Sequence, residues 1–192
     1  MQSILLFKNF NKYISLTEED FELVEQVLIK KFVKKRRTLL TGNDISRYIY
    51  FVEKGALRSF TVNEDGVEQV IQLVMEDHWI ADLYSFITQM PGNISVEAIE
   101  DSEVWLLPHH DLELLYKQVP ALERYFRQLF QRAYVMLQQR VNLTLSHNAE
   151  DHYRVLLNDF PQIAARIPLI YIASFLGITP ESLSRIRKQL FQ

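Results

Sequence analysis

At 192 residues, 48% apolar and 23% charged, the chain has the make-up of an ordinary globular protein of one large or two small domains, which excludes a disordered or collagen-like chain. It holds no cysteine, which removes disulfides, thiolate metal sites, cysteine nucleophiles and iron–sulfur clusters together and leaves the cytoplasm as the simplest expectation. The net charge of −3 divides unevenly: Arg166, Arg185, Arg187 and Lys188 face only Glu181 in the last 27 residues, whereas the remainder carries 17 basic and 23 acidic residues.

In chain order, Met1 to Phe10 shows a short apolar patch (Ile4, Leu5, Leu6, Phe7) without a basic leader or cleavage site, so no secretory signal is expected. No run of about 18 apolar residues follows, so no membrane span is expected. Thr17-Glu18-Glu19-Asp20 opens a helix that Phe21, Val24, Val27 and Leu28 carry to about Lys30, with Thr17 as its cap. From Phe32 to Leu107 the period shortens. The predicted strands are Phe32–Leu40, Tyr48–Val52, Ala56–Val62, Val67–Val74, Ile94–Ile99 and Val104–Leu107, separated by turn residues, with a hairpin at Asp65-Gly66. Short strands at this spacing predict an antiparallel roll or barrel, interrupted at Trp79–Gln89 by a short helix and its loop. His109–Val119 is a short helix ending before Pro120. Ala121 to about Leu145 has no glycine or proline and carries a stripe of Phe126, Phe130, Ala133, Leu137 and Val141, flanked by Leu122, Leu129 and Met136. A rod of roughly 37 Å with so wide an apolar seam predicts packing against a second copy, the other reading being a buried core helix of a monomer.

The densest signal is C-terminal. Ile170–Leu176 reads as a helix, Gly177-Ile178-Thr179 as a turn and Pro180–Leu190 as a second helix. Ala173 is small where the axes cross, Gly177 accepts the left-handed backbone that ends a helix, Thr179 caps the next helix and Pro180 takes its first position. Leu183 and Ile186 face inward. The pattern is a helix-turn-helix. Its outward residues, Thr179, Glu181, Ser182, Ser184, Arg185 and Lys188, form the candidate DNA-binding set. Arg185 can donate two bonds to guanine, Glu181 can accept from cytosine, and Arg187 and Lys188 suit the phosphate backbone.

With both ends read, the chain resembles the cyclic-AMP receptor/Fnr (Crp/Fnr) family of bacterial regulators over nearly its whole length. The likeness rests on Tyr48-Ile49-Tyr50-Phe51-Val52-Glu53-Lys54-Gly55-Ala56-Leu57-Arg58, on Asn63-Glu64-Asp65-Gly66 and on Trp79-Ile80-Ala81-Asp82-Leu83. It extends to Ala98-Ile99-Glu100-Asp101-Ser102-Glu103-Val104 and to Leu176 through Ile186. The resemblance implies an α+β fold: an antiparallel β-roll (a double-stranded β-helix, cyclic-nucleotide-binding-like) over residues 1–118, a dimerisation helix over 119–146 and a helix-turn-helix domain over 147–192. It further implies a cytoplasmic homodimer on two-fold symmetric double-stranded DNA, acting on RNA polymerase, with Glu181 and Arg185 where the family reads bases.

Two departures shape the expected mechanism. Nucleotide-binding members place Gly-Glu-Leu before a short helix and an Arg-Ser pair after it; here Ala81-Asp82-Leu83 stands for the first, and Pro91-Gly92-Asn93-Ile94-Ser95 offers no arginine. A buried cyclic phosphate would lack its bidentate cation, which argues against cyclic AMP. Either no effector enters the roll or one of other chemistry does; its pocket would lie around Asp82, Leu83, Ser95 and Arg127, with Arg124, Arg127 and Arg132 of the long helix read either as substitute cations or as a solvated face. The chain also ends directly after its recognition helix, where family members commonly continue into a β-hairpin wing, so fewer backbone contacts are expected. Other readings are a ligand- or protein-binding sensor module that has lost DNA binding, and a cupin-type enzyme suggested by the roll alone. His78, His109, His110, His147 and His152 lack metal-ligand spacing, and no base–nucleophile pair accompanies Asp82, Glu97 and Glu100, so neither metal, cofactor nor catalytic site is expected. The basic run Lys30, Lys31, Lys34, Lys35, Arg36, Arg37 reads as a solvated face.

Overall fold

The structure, a computed structural model, describes residues 3–146 and 148–190, apart from the side chains of residues 143–146. His147 and the final Gln192 lie outside the described residues. The chain begins with α1 (Ile4–Asn11), an eight-residue helix too short for periodicity to announce; Ser3 caps it by accepting the Leu6 amide, and Leu6 and Phe10 are fully buried. In α2 (Glu18–Val27), Thr17 accepts the Asp20 amide while Asp20 accepts the Thr17 amide, closing a capping box. The helix stops at Val27 rather than Lys30 because Leu28 is already extended and the chain joins the sheet.

Strands β1 (Ile29–Val33), β2 (Thr38–Leu40), β3 (Tyr48–Lys54), β4 (Ala56–Val62), β5 (Glu68–Met75), β6 (Trp79–Ile80), β7 (Ser95–Ala98) and β8 (Ser102–Pro108) form two antiparallel sheets. Their orders are β1-β8-β3-β6 and β2-β7-β4-β5. The expected strand Phe32–Leu40 is two strands, one in each sheet: Arg36 takes a φ of 64° and its amide bonds the Ala98 carbonyl at 2.7 Å as the chain crosses over. In the Asp65-Gly66 hairpin the Asn63 side chain accepts the amides of Asp65 and Val67, and Gly66 sits at a φ of 78°. Trp79–Gln89 divides into β6 and a short helix, α3 (Leu83–Thr88).

Both faces of each sheet are covered, which is why β3 and β8 read as apolar runs rather than clean alternations. Along β3, Ile49 and Phe51 face a helical layer while Tyr50 and Val52 face the second sheet. Leu57, Val74, Val96 and Ala98 meet them from across the roll. On the outer face of the second sheet, Ala56, Phe60, Val70, Leu73 and Met75 pack beneath the C-terminal helices. The interior between the sheets is filled by side chains, and the buried Tyr50 hydroxyl donates to the Leu39 carbonyl at 3.3 Å.

Helices α4 (His109–Gln118), α5 (Ala121–Ser146), α6 (Ala149–Asp159), α7 (Pro161–Arg166), α8 (Leu169–Leu176) and α9 (Pro180–Leu190) complete the chain. The apolar stripe of α5 splits in two. Leu122, Tyr125 and Phe126 are buried in the molecule's own core with α1, α2 and α4. Tyr134, Val135, Met136, Leu137 and Val141 remain 48–66% exposed. No helix among the described residues is long and apolar enough to cross a membrane.

Candidate nucleic-acid interface

Helices α8 and α9 are set by their own local chemistry. Gly177 ends α8 at a φ of 73°, donating to the Ala173 and Ser174 carbonyls, and the Ile178 amide also bonds Ala173. Thr179 accepts the Ser182 amide at 3.2 Å, capping α9. Ala173 and Leu183 are fully buried where the helices cross. This leaves Thr179, Glu181, Ser184, Arg185 and Lys188 exposed and Ser182 half-buried, so the structure brings the whole predicted set to one polar face. Glu181 is held below the usual carboxylate range by its own backbone amide, by the Thr179 hydroxyl and by the charge of Arg185 one turn on, and it is therefore an acceptor at neutral pH. Arg185 approaches the Ser182 hydroxyl at 3.5 Å, and the Ser184 hydroxyl donates back to the Pro180 carbonyl at 2.9 Å. Arg187 is half-buried, which leaves Lys188 as the exposed cation of the last turn.

The residues expected around an effector are placed in two locations. Asp82 is buried and caps α3, accepting the Ser85 amide at 3.0 Å and the Ile94 amide at 3.3 Å. Ser95 is buried beside that loop, its hydroxyl accepting the Gly42 amide at 2.9 Å. Leu83 lines a small cavity between the roll and α5 with Trp79, Ile80, Leu129 and Ala133. Arg127 stands exposed on α5, donates to Gln131 at 3.3 Å, and lines a separate open groove of about 810 Å³ with Phe126, Phe130 and Tyr134. Asp82 and Ser95 thus already hold the loop closed around Gly92. A β-carbon at Gly92 would fall on the Asp82 carboxylate and 2.9 Å from the Ser85 β-carbon. Gly92→Ala is therefore expected to destabilise the roll by about 1–3 kcal/mol, read as a lower urea midpoint at unchanged m.

Residues 30–119 match the family description "Cyclic nucleotide-binding domain". The chain is 25% identical to the anaerobic regulatory protein of Haemophilus influenzae, over 90% of this chain and 71% of that one. It is 26% identical to the fumarate and nitrate reduction regulatory protein of Vibrio cholerae, over 90% and 73%. The chain is thus similar to regulatory proteins along most of its length and carries a segment that matches a cyclic nucleotide-binding domain. The fold agrees: the catabolite activator protein of Thermus thermophilus superposes with a TM-score of 0.60 at 19% identity, covering 92% of this chain and 84% of that one. The relatives named are regulatory proteins rather than enzymes.

Sequence reasoning missed the contacts that fasten the helix-turn-helix to the roll. Arg58, on the outer face of β4, is only 4% exposed; it pairs with Glu68 at 2.6 Å and Glu97 at 3.0 Å and lies between the rings of Phe60 and Tyr171. An arginine in the middle of an apolar strand is the one signal that could have flagged it. Arg166, counted among the basic residues of the tail, bonds both oxygens of Glu76, at 2.8 and 2.9 Å, and also Glu100. Its charge is spent within the molecule.

Burial alone would raise the pKa of Glu76, but bonds from Arg166 and the Gly55 amide outweigh it and hold the carboxylate below its ordinary 4.5. A depressed carboxylate stabilises above its unfolded pKa, and that contribution disappears as pH falls through the folded value. Thermal melts from roughly pH 6 to pH 3 are expected to show a steeper loss of stability in the wild type than in Arg166→Ala. Parallel curves would remove the clamp from the account.

Proposed function

We propose that the protein is a homodimeric, sequence-specific DNA-binding transcription regulator. Residues 1–118 form its sensor, 119–146 its dimerisation helix and 147–192 its DNA-binding unit. The observation that carries this reading is the exposed polar face of α9, capped at Thr179 and presenting Glu181, Ser182, Ser184, Arg185 and Lys188 together. A helix pair that buries Leu183 and Ala173 while leaving this face free suits the major groove, which admits one helix and displays guanine acceptors to arginine. The exposed Tyr134, Leu137 and Val141 follow the spacing of a two-helix seam, which supports pairing of α5 with its symmetry mate. The kinship with regulatory proteins supports an action on RNA polymerase.

The effector, if one enters the roll, is not cyclic AMP in this reading. Asp82 is engaged by two backbone amides, and no arginine lies between Pro91 and Ser95 to neutralise a buried phosphate. A small molecule of other chemistry would meet Leu83 and α5, with Asp82, Ser95 and Arg127 as the polar groups to test first. The experiment is fluorescence anisotropy of the purified chain with duplexes from its own upstream region. Binding that saturates at ~50 mM salt and weakens steeply by ~200 mM is the expected result. Indifference to every duplex at the lower salt would favour a sensor module without DNA recognition.

A further inference from the structure

Between Tyr134 and Asn142 every position of the long helix is exposed except Arg140, which is half-buried. Arg140 points away from the apolar seam and into the junction between the roll and the helix-turn-helix. Its guanidinium donates to the Ile71 carbonyl, to the Val70 carbonyl at 3.2 Å and to the Phe175 carbonyl at 3.2 Å, and it lies 4.4 Å from the centre of the Phe175 ring.

Each of those acceptors needs a donor for a separate reason. β5 is the edge of its sheet, and its pairing with β4 slips so that Gln72 faces Ser59 while Val70 faces Phe60; Ile71 is the bulged residue without a partner. Phe175 lies in the last turn of α8, where carbonyls have no partner inside the helix and a positive charge is favoured. One side chain from α5 therefore serves a strand bulge and a helix end at once. Ser174 closes the same junction from the other side, its hydroxyl accepting the Val70 amide at 3.0 Å and donating to the Glu68 carbonyl at 2.9 Å.

We infer that Arg140 is the positioning residue that couples the long helix to the DNA-reading pair: it fixes α8, and through the α8–α9 crossing the recognition helix, against both β5 and α5. The consequence for DNA rests on the proposed function; the joint itself does not. A change in the register of α5, whether from closure of the dimer or from an effector against Leu129 and Ala133, has to move Arg140 and therefore α8. The joint differs from the Arg166 clamp in kind. The Ile71, Val70 and Phe175 acceptors are neutral carbonyls at a half-buried site, so added salt screens those bonds little, whereas the partly exposed Arg166 carboxylate bonds weaken with salt.

The test compares Arg140→Gln, Arg140→Lys and Ser174→Ala in the full chain by hydrogen–deuterium exchange, with DNA affinity and solution mass measured in parallel. Arg140→Gln is expected to speed exchange in both β5 and α8 by about tenfold while β3 and β8 keep wild-type protection. Arg140→Lys, which keeps the charge but loses the planar fork, should fall between. Ser174→Ala should add less to the Arg140→Gln background than it does alone, since both act on one joint. At unchanged dimer mass, DNA affinity should drop about tenfold in Arg140→Gln. Unaltered exchange in β5 and α8, or loosening spread equally over β3 and β8, overturns the inference. The exchange result stands even if the wild type binds no DNA, so failure of the functional reading is recognised separately.

Discussion

Leu137→Glu combined with Val141→Glu is expected to turn the proposed dimer into a folded monomer. The two positions are one helical turn apart on α5, 55% and 48% exposed in the single chain, and none of the described residues covers them. Burying an aliphatic side chain of this size contributes ~1.5–3 kcal/mol, so completing the burial of half-exposed residues is worth roughly 1–2 kcal/mol each. Two-fold symmetry counts each position twice, and the substituted carboxylates would face one another across the seam. The loss is on the order of 4–8 kcal/mol, or at least ~10³-fold in the dissociation constant. Sedimentation velocity at micromolar protein reads it directly. The buried start of the helix, Leu122, Tyr125 and Phe126, belongs to the subunit's own core, so circular dichroism should stay native. A mass unchanged by both glutamates would move the dimer contact elsewhere.

Arg185→Ala carries the second large effect. Arg185 is exposed in the middle of α9, and its guanidinium approaches the Ser182 hydroxyl at 3.5 Å, which leaves its fork available to a base edge. Truncation should cost ~1–3 kcal/mol, about 5- to 150-fold, on the preferred duplex and far less on duplexes altered at the base pair that Arg185 reads. Lys188→Ala makes the contrast: it should weaken all duplexes alike and lower the log–log salt slope by about 1. Equal losses on every duplex for both variants would reduce Arg185 to a phosphate contact.

How much of this was legible depended on how local each determinant is. The α8–α9 pair was readable because Gly177, Thr179 and Pro180 act within a turn of themselves, and the structure shows the left-handed glycine and the threonine cap. Helix α1 was not, since its stability comes from distant packing: Phe10 meets Tyr125, Trp79 and Phe126, and the Tyr125 hydroxyl donates to Asn9. The family position of Asp82 points to a ligand contact, while an aspartate three residues before Ser85 also spells a helix cap, and the Asp82 carboxylate does accept the Ser85 amide. The junction was invisible for a simple reason. Arg58, Arg140 and Arg166 bond groups that lie 10 to 90 residues away in the chain, and no periodicity records such pairs.

The most direct measurement is selection from a random duplex pool by the purified protein at ~50 mM salt, followed by sequencing of the retained DNA. Two chains pairing through α5 and reading with α9 predict a two-fold symmetric motif with half-sites about one helical turn (~34 Å) apart, and an altered base preference at one position of each half-site for Arg185→Ala. A retained pool with no shared motif, or a motif without symmetry that Arg185→Ala leaves intact, would contradict the account.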